Sequence, residues 1–155
     1  MKKDILLIII FLITSSCGFK VINQSELVNF SIAEIITSGD KRINYKIKNK
    51  LLFLGKDSEK QVINLNLVSE KIKSIKERNI KNEITKFQIL INLTIKIEGN
   101  KIDELIEFTL SSNGDYSISK QHSQTLTNEK KLIELLSSNL ADRVLQQIIF
   151  KLNDI

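Results

Sequence analysis

The chain has no proline, one cysteine, one histidine and five glycines among its 155 residues, and aromatics supply only 6% of it. Each scarcity removes something. Without proline, nothing in the sequence forces a break inside a helix or a central strand. A lone cysteine makes no disulfide within the chain, so an exported domain of this length must rest on its core. His122 is the only histidine, set in a polar stretch between Gln121 and Ser123; one imidazole does not build a zinc cluster. Five glycines leave no glycine-rich phosphate loop. Basic residues are plentiful and give a net charge of +5, but they are not interleaved with aromatics as in single-strand binders. The abundance of Lys, Ile and Asn is the bias of an AT-rich coding sequence, so the charge does not point to nucleic acid. Only one long apolar run exists, Ile5 to Ile13, well short of the about 20 residues a permanent span needs.

That run belongs to an N-terminal pattern, MKKDILLIIIFLITSSCGF. Lys2 and Lys3 precede the apolar core, and Thr14, Ser15 and Ser16 lead into Cys17. Positive start, apolar middle and small residues form a secretory signal. A cysteine directly after it is placed to be acylated and to become the first residue of the mature chain. The order is similar to a bacterial lipobox, with Thr14 where an aliphatic residue is usual. We therefore expect a signal peptide over 1–16, a lipid anchor on Cys17 and a single domain over 17–155, otherwise soluble.

Beyond the polar leader Gly18–Glu26, alternation over Leu27–Thr37 predicts a strand with Val28, Phe30, Ile32 and Ile36 on one face. Ser38-Gly39-Asp40 breaks it, and Asp40 suits a helix N-cap. Ile43, Ile47, Leu51 and Leu54 then recur at helical spacing, with Gly55 as the stop. Lys60–Lys76 returns to strand character, and the phase change from Ile63, Leu65 and Leu67 to Val68 and Ile72 predicts a β-bulge near Val68 or Ser69. A charged turn, Lys76 to Asn82, leads into a long strand over Glu83–Glu98. There Phe87, Ile89, Ile91, Leu93, Ile95 and Ile97 oppose Lys86, Gln88, Asn92, Thr94, Lys96 and Glu98. Gly99-Asn100 is hairpin chemistry, Ile102–Ser111 pairs back, and Ser112–Asn128 reads as a polar loop. A closing helix over Thr127–Leu152 carries Leu132, Leu136, Leu140, Val144, Ile148 and Leu152 every fourth residue, with Ile133 and Leu145 beside the stripe. The order β-α-β-β-β-α predicts an α+β two-layer sandwich: a four-stranded, mainly antiparallel sheet with two helices packed on one face.

No convergent set of titratable groups emerges. With Cys17 used for the anchor, no Cys–His pair remains, and Asp103, Glu104 and Glu107 read as a solvated strand start. The chain reads as non-enzymatic, with no metal and no cofactor. What remains is surface. The outer face of the long strand is regular and polar, either a wet sheet face or a contact face for a polar partner such as a barrel lumen. Lys76, Arg78 and Lys81 crowd the turn between two long strands, with Lys73 and Lys86 near; such a run is a solvated turn or a set of phosphate contacts.

In sum the pieces resemble a family. Cys17-Gly18-Phe19 after a signal, a strand running into Ser38-Gly39-Asp40 and a helix, two long strands around a charged turn, a short hairpin, the loop reaching Asp115-Tyr116, and a closing helix with Ala141 to Ile148 look like the lipopolysaccharide-assembly lipoprotein LptE. The resemblance spans the mature chain and is one of pattern. Asn79 departs from it, standing where many relatives carry an acidic residue before a glycine. The resemblance implies a lipoprotein at the periplasmic face of the outer membrane that plugs an LptD-like barrel and assists insertion of lipopolysaccharide into the outer leaflet. It also implies that Lys76, Arg78 and Lys81 are candidate lipopolysaccharide contacts. Two other readings fit the residues: an accessory lipoprotein of another outer-membrane barrel-assembly or transport machine, and a periplasmic lipid-carrying lipoprotein with an apolar cavity.

Overall fold

A computed structural model describes residues 29–52, 60–100, 102 and 104–153. Cys17, the signal segment, the leader through Val28, Leu54, Gly55 and Asp103 lie outside the described residues. Six elements follow in the expected order: β1 (Phe30–Gly39), α1 (Lys41–Leu52), β2 (Gln61–Arg78), β3 (Ile84–Gly99), β4 (Ile106–Ser117) and α2 (His122–Asn153). The strands form one sheet in the order β1-β2-β3-β4. β1 and β2 are parallel because α1 lies between them in the chain, while β2, β3 and β4 run antiparallel.

One face of the sheet carries the core. Ile63, Leu65 and Leu67 of β2 and Ile89, Ile91, Leu93, Ile95 and Ile97 of β3 are all buried. Above them sit Ile43, Ile47 and Leu51 of α1 and Ile133, Leu136, Leu140, Ala141, Val144 and Ile148 of α2. The two helices are tied to each other by Lys50, whose ammonium pairs with Asp142 at 2.6 Å and lies 3.2 Å from Ser138 Oγ.

The junction of β1 and α1 depends on Gly39. Its φ is +96°, and a Cβ there would lie 1.9 Å from the Ser69 carbonyl oxygen. Only a residue without a side chain lets the strand end so close to β2. Asp40 then caps the helix as expected: Oδ1 accepts from Arg42 N at 3.0 Å and Ile43 N at 3.2 Å.

Four sequence expectations need correction. In β1 the register with β2 shifts between Ile32 and Glu34, which turns Ile35 inward and leaves Ile36 54% exposed on the outer face. Alternation counted straight through a bulge assigns the wrong isoleucine. In β2 the expected bulge near Val68 is absent, since pairing with β3 is continuous from Ile63 to Ile75 and slips only near Glu77. Val68 and Ile72 are outer-face residues of an unbroken strand, 40% and 41% exposed. The segment read as a polar loop is strand and helix. Ser111 to Asp115 pair with Asn92 to Gln88, and α2 begins at His122, earlier than Thr127. Gly114 explains the polar strand: a Cβ there would lie 2.8 Å from Leu132 Cδ1. The inner face of β4 uses small residues where the helix comes close. β4 accordingly starts at Ile106 rather than Ile102.

Candidate functional site

β2 is eighteen residues long and β3 sixteen, and both outrun their neighbours. β1 pairs with β2 only up to Ser69, and β4 reaches β3 only as far as the Lys86–Ser117 pair. Past those points β2 and β3 continue as a two-stranded ribbon, and its tip stands about 13 Å beyond the Lys86–Ser117 pair at about 3.3 Å per residue. Arg78 and Lys81 lie on this ribbon and Lys76 at its base, where β2 slips between the Ile75–Phe87 and Glu77–Lys86 pairs; all three are exposed.

The turn is tightly bonded. Asn79 Oδ1 accepts from the backbone N–H of Lys81 and of Glu83, both at 2.9 Å, and Asn79 Nδ2 donates to Glu83 Oε2 at 2.7 Å. Asn82 takes the left-handed conformation with φ 62°, a region asparagine tolerates better than most residues. Arg78 Nη1 donates to the Asn82 carbonyl at 2.8 Å. Asn79 thus ties the turn through its own side chain. Ile80 sits at the apex, fully exposed at 103%, with no side chain against it.

The three cations differ in their partners. The Lys76 ammonium is 3.9 Å from Asp115 Oδ2, a loose pair with both side chains over a third exposed. Arg78 uses one guanidinium nitrogen on the turn. Lys81 has no side-chain partner among the described residues. Lys86 is engaged elsewhere, 2.6 Å from Glu77; that contact raises the Lys86 pKa and lowers that of Glu77.

At the base of the ribbon, on the core side, the chemistry is firmer. Lys73 Nζ is 2.7 Å from Glu129 Oε2, and Tyr116 donates to the same oxygen at 2.7 Å. The ammonium also stands 4.5 Å from the centre of the Phe87 ring. Burial opposes the charge on Lys73, but its contacts with Glu129 and Tyr116 outweigh that and raise its pKa. Burial likewise works against the Glu129 carboxylate, and Lys73, Tyr116 and Lys71 outweigh it and lower its pKa. The Tyr116 hydroxyl is pushed up by burial and by the charge of Glu129. Beside this clamp opens a solvent-facing cleft of about 550 Å³ lined by Asp40, Lys41, Arg42, Lys71, Leu126, Glu129, Lys130 and Ile133. Lys71 pairs with Asp40 at 2.9 Å. The cleft is charged and open, unlike the deep apolar pocket a lipid carrier uses.

The outer face of the sheet is uncovered and cross-linked. Thr94 and Thr109 hydroxyls lie 3.1 Å apart, Ser111 Oγ donates to Asn92 Oδ1 at 2.8 Å, and Asn92 Nδ2 donates to Glu70 at 3.3 Å. Lys96 pairs with Glu107 at 3.2 Å, which takes Glu107 out of the acidic group read at the hairpin. His122 is exposed at the start of α2. No group of three or more His, Cys, Asp or Glu able to hold a metal occurs among the described residues, and none of their helices is long and apolar enough to cross a membrane.

The structure therefore brings Arg78 and Lys81 to one projecting tip, sets Lys76 at its base opposite Asp115, and leaves Cys17 outside the described residues. Sequence reasoning missed Ile80, whose signal was a single aliphatic residue inside a charged turn. It also missed the Lys73–Glu129–Tyr116 clamp, because Tyr116 lay in a stretch read as loop and nothing in the sequence set Glu129 of the closing helix beside Lys73.

No protein-family model and no curated protein sequence matches the chain. Solved structures do match its fold. The rare lipoprotein B from Shewanella oneidensis superposes with a TM-score of 0.60 at 12% identity, covering 78% of this chain and 97% of that one. A lipoprotein B from Nitrosomonas europaea gives a TM-score of 0.57 at 15% identity, covering 85% and 90%. A minor lipoprotein from Acinetobacter baumannii gives 0.56 at 19% identity, covering 80% and 93%. The chain shares the fold of these lipoproteins over nearly their whole length.

Proposed function

We propose that this chain is a lipoprotein of the LptE type, anchored by an acylated Cys17 at the periplasmic face of the outer membrane. It seats inside an LptD-like barrel and assists assembly and insertion of lipopolysaccharide into the outer leaflet. It does so by binding and positioning, without catalysis. Rare lipoprotein B is a name the LptE family carries, so the shared fold agrees with the resemblance in the sequence.

The observation that carries the reading is the uncovered sheet face. Its polar side chains are bonded to one another across three strands, with Ile36, Val68 and Ile72 exposed among them, so it offers donors and acceptors to a wet barrel interior. The filled core on the opposite face argues against the lipid-carrier alternative. The basic ribbon gives lipopolysaccharide phosphates a contact at one end of the plug, with Lys76, Arg78 and Lys81 as the donors.

Two measurements test this. Purification from the native host with the anchor intact should bring down a large outer-membrane barrel; recovery of the chain alone, or of a different machine, removes the plug assignment. Replacing Lys76, Arg78 and Lys81 together by Ser should weaken lipopolysaccharide binding, and the loss should shrink as salt is raised. Unchanged binding removes the tip from the site.

A further inference from the structure

We propose that the tip of the β2–β3 ribbon is a two-part lipid contact, in which Ile80 enters the acyl region of a phosphorylated lipid while Lys76, Arg78 and Lys81 meet its phosphates. The inference rests on the cationic contact proposed above and adds what that contact leaves unexplained. Ile80 is wholly exposed, yet its turn is not loose. Asn79 Oδ1 accepts from two backbone N–H groups beyond it, Asn79 Nδ2 donates to the Glu83 carboxylate, and Arg78 donates to the Asn82 carbonyl. A rigid turn that holds an aliphatic side chain in water gives the fold nothing, since apolar surface stabilises only when removed from water.

The other exposed aliphatics of the sheet differ from it. Val68, Ile72, Ile75 and Ile36 are between 40% and 54% exposed and lie along paired strands. Ile80 stands alone at the apex, beyond the ends of β1 and β4. Cations lie beside and behind it. Lys81 follows it with no side-chain partner among the described residues, Arg78 uses one nitrogen on the turn, and Lys76 is loosely paired at the ribbon's base. The carboxylates near the tip are occupied: Glu77 by Lys86, Glu83 by Asn79, and Asp115 facing Lys76. An apolar point with cations set behind it matches the boundary between acyl chains and anionic headgroups. The tip's reach of about 13 Å covers the roughly 5–10 Å that interfacial elements enter.

The chain contains no tryptophan, so Ile80→Trp creates a single fluorescent reporter at the apex. The experiment uses the chain from Gly18 onward, whose buried core among the described residues runs from Phe30 to Ile148, with circular dichroism to verify that each variant is folded. Three probes are used: phosphatidylcholine vesicles, the same vesicles doped with lipid A, and the phosphorylated sugar of lipid A without its acyl chains. The emission should shift to the blue with lipid A vesicles and stay put with the other two. Ile36→Trp, on the outer sheet face, should not shift. Ile80→Ser should lower affinity for lipid A vesicles about tenfold or more, the worth of burying one isoleucine, and leave binding of the phosphorylated sugar unchanged. Binding to lipid A vesicles with unchanged emission, or an equal shift at Ile36, overturns the insertion while the cationic contact stands. Failure of the unsubstituted chain to bind either lipid A vesicles or the phosphorylated sugar removes both.

Discussion

The two halves of β2 face the same side of the sheet with opposite chemistry. From Ile63 to Leu67 the inward residues are aliphatic and fully buried beneath α1, with β1 on one side and β3 on the other. From Lys71 to Ile75 the inward residues are Lys71, Lys73 and Ile75, and Ile75 is 46% exposed. The strand is continuous, but its cover ends. Where helices lie over it, burial of Ile and Leu stabilises the fold by about 1.5–3 kcal/mol per side chain before entropy. Where they stop, lysines take over, each held by a carboxylate at the edge of the helical layer: Asp40 for Lys71 and Glu129 for Lys73. The body of the sheet is built for stability, and the ribbon for presentation.

The sharpest way to break this comparison is to make the same change in each half. Ile95→Ala, at the centre of the buried face, should cost about 2–5 kcal/mol in a urea melt. Ile75→Ala should cost under about 1 kcal/mol, because the side chain is already half in water. Similar losses at the two sites would mean that the ribbon shares the core. A smaller effect is expected at the hinge between β1 and α1. Gly39→Ala demands a positive φ of an L-residue and drives its Cβ into the Ser69 carbonyl. We expect a loss of about 2–4 kcal/mol by thermal or urea unfolding. A loss below about 0.5 kcal/mol would show that the junction adapts freely.

The covered half of the molecule was legible in the sequence and the projecting half less so. Helical spacing found α1 from Ile43, Ile47 and Leu51, and alternation found β3. Both patterns exist because burial selects aliphatics at the period of the element. Where burial is incomplete the period fades. β4 beyond Leu110 carries Ser112 and Gly114 inward because α2 passes so close, and the first turns of α2 are polar because they are mostly exposed. Both were read as loop for the same reason. The tip was legible as a charged turn but not as a site. Nothing in the local sequence says that Ile80 ends up without neighbours; that depends on β1 and β4 stopping short.

The smallest effect tests the clamp that joins the two regions. Glu129 reaches from α2 to Lys73 on the ribbon's base and to Tyr116 on β4. Its carboxylate is held below the ordinary glutamate value of 4.5. A group whose pKa is depressed on folding stabilises the fold at pH above its unfolded value and ceases to do so as pH falls through its folded one. Lys73 is raised above 10.5, so its share persists until strongly alkaline pH. The clamp should therefore act at full strength from about pH 6 to about pH 9. Glu129→Gln keeps the shape and removes the charge, and should cost about 1 kcal/mol in that window, a modest figure because Lys73 is 39% exposed. As the pH falls below 4.5 and on through the lower folded value, the variant and the unsubstituted chain should converge, because the glutamate is protonated first in the unfolded and then in the folded state. A difference that does not shrink at all as the pH is lowered from 4.5 would mean that Glu129 acts through packing or neutral hydrogen bonding. The ribbon would then be held to the body by shape, and its lysines would be free for an anionic ligand.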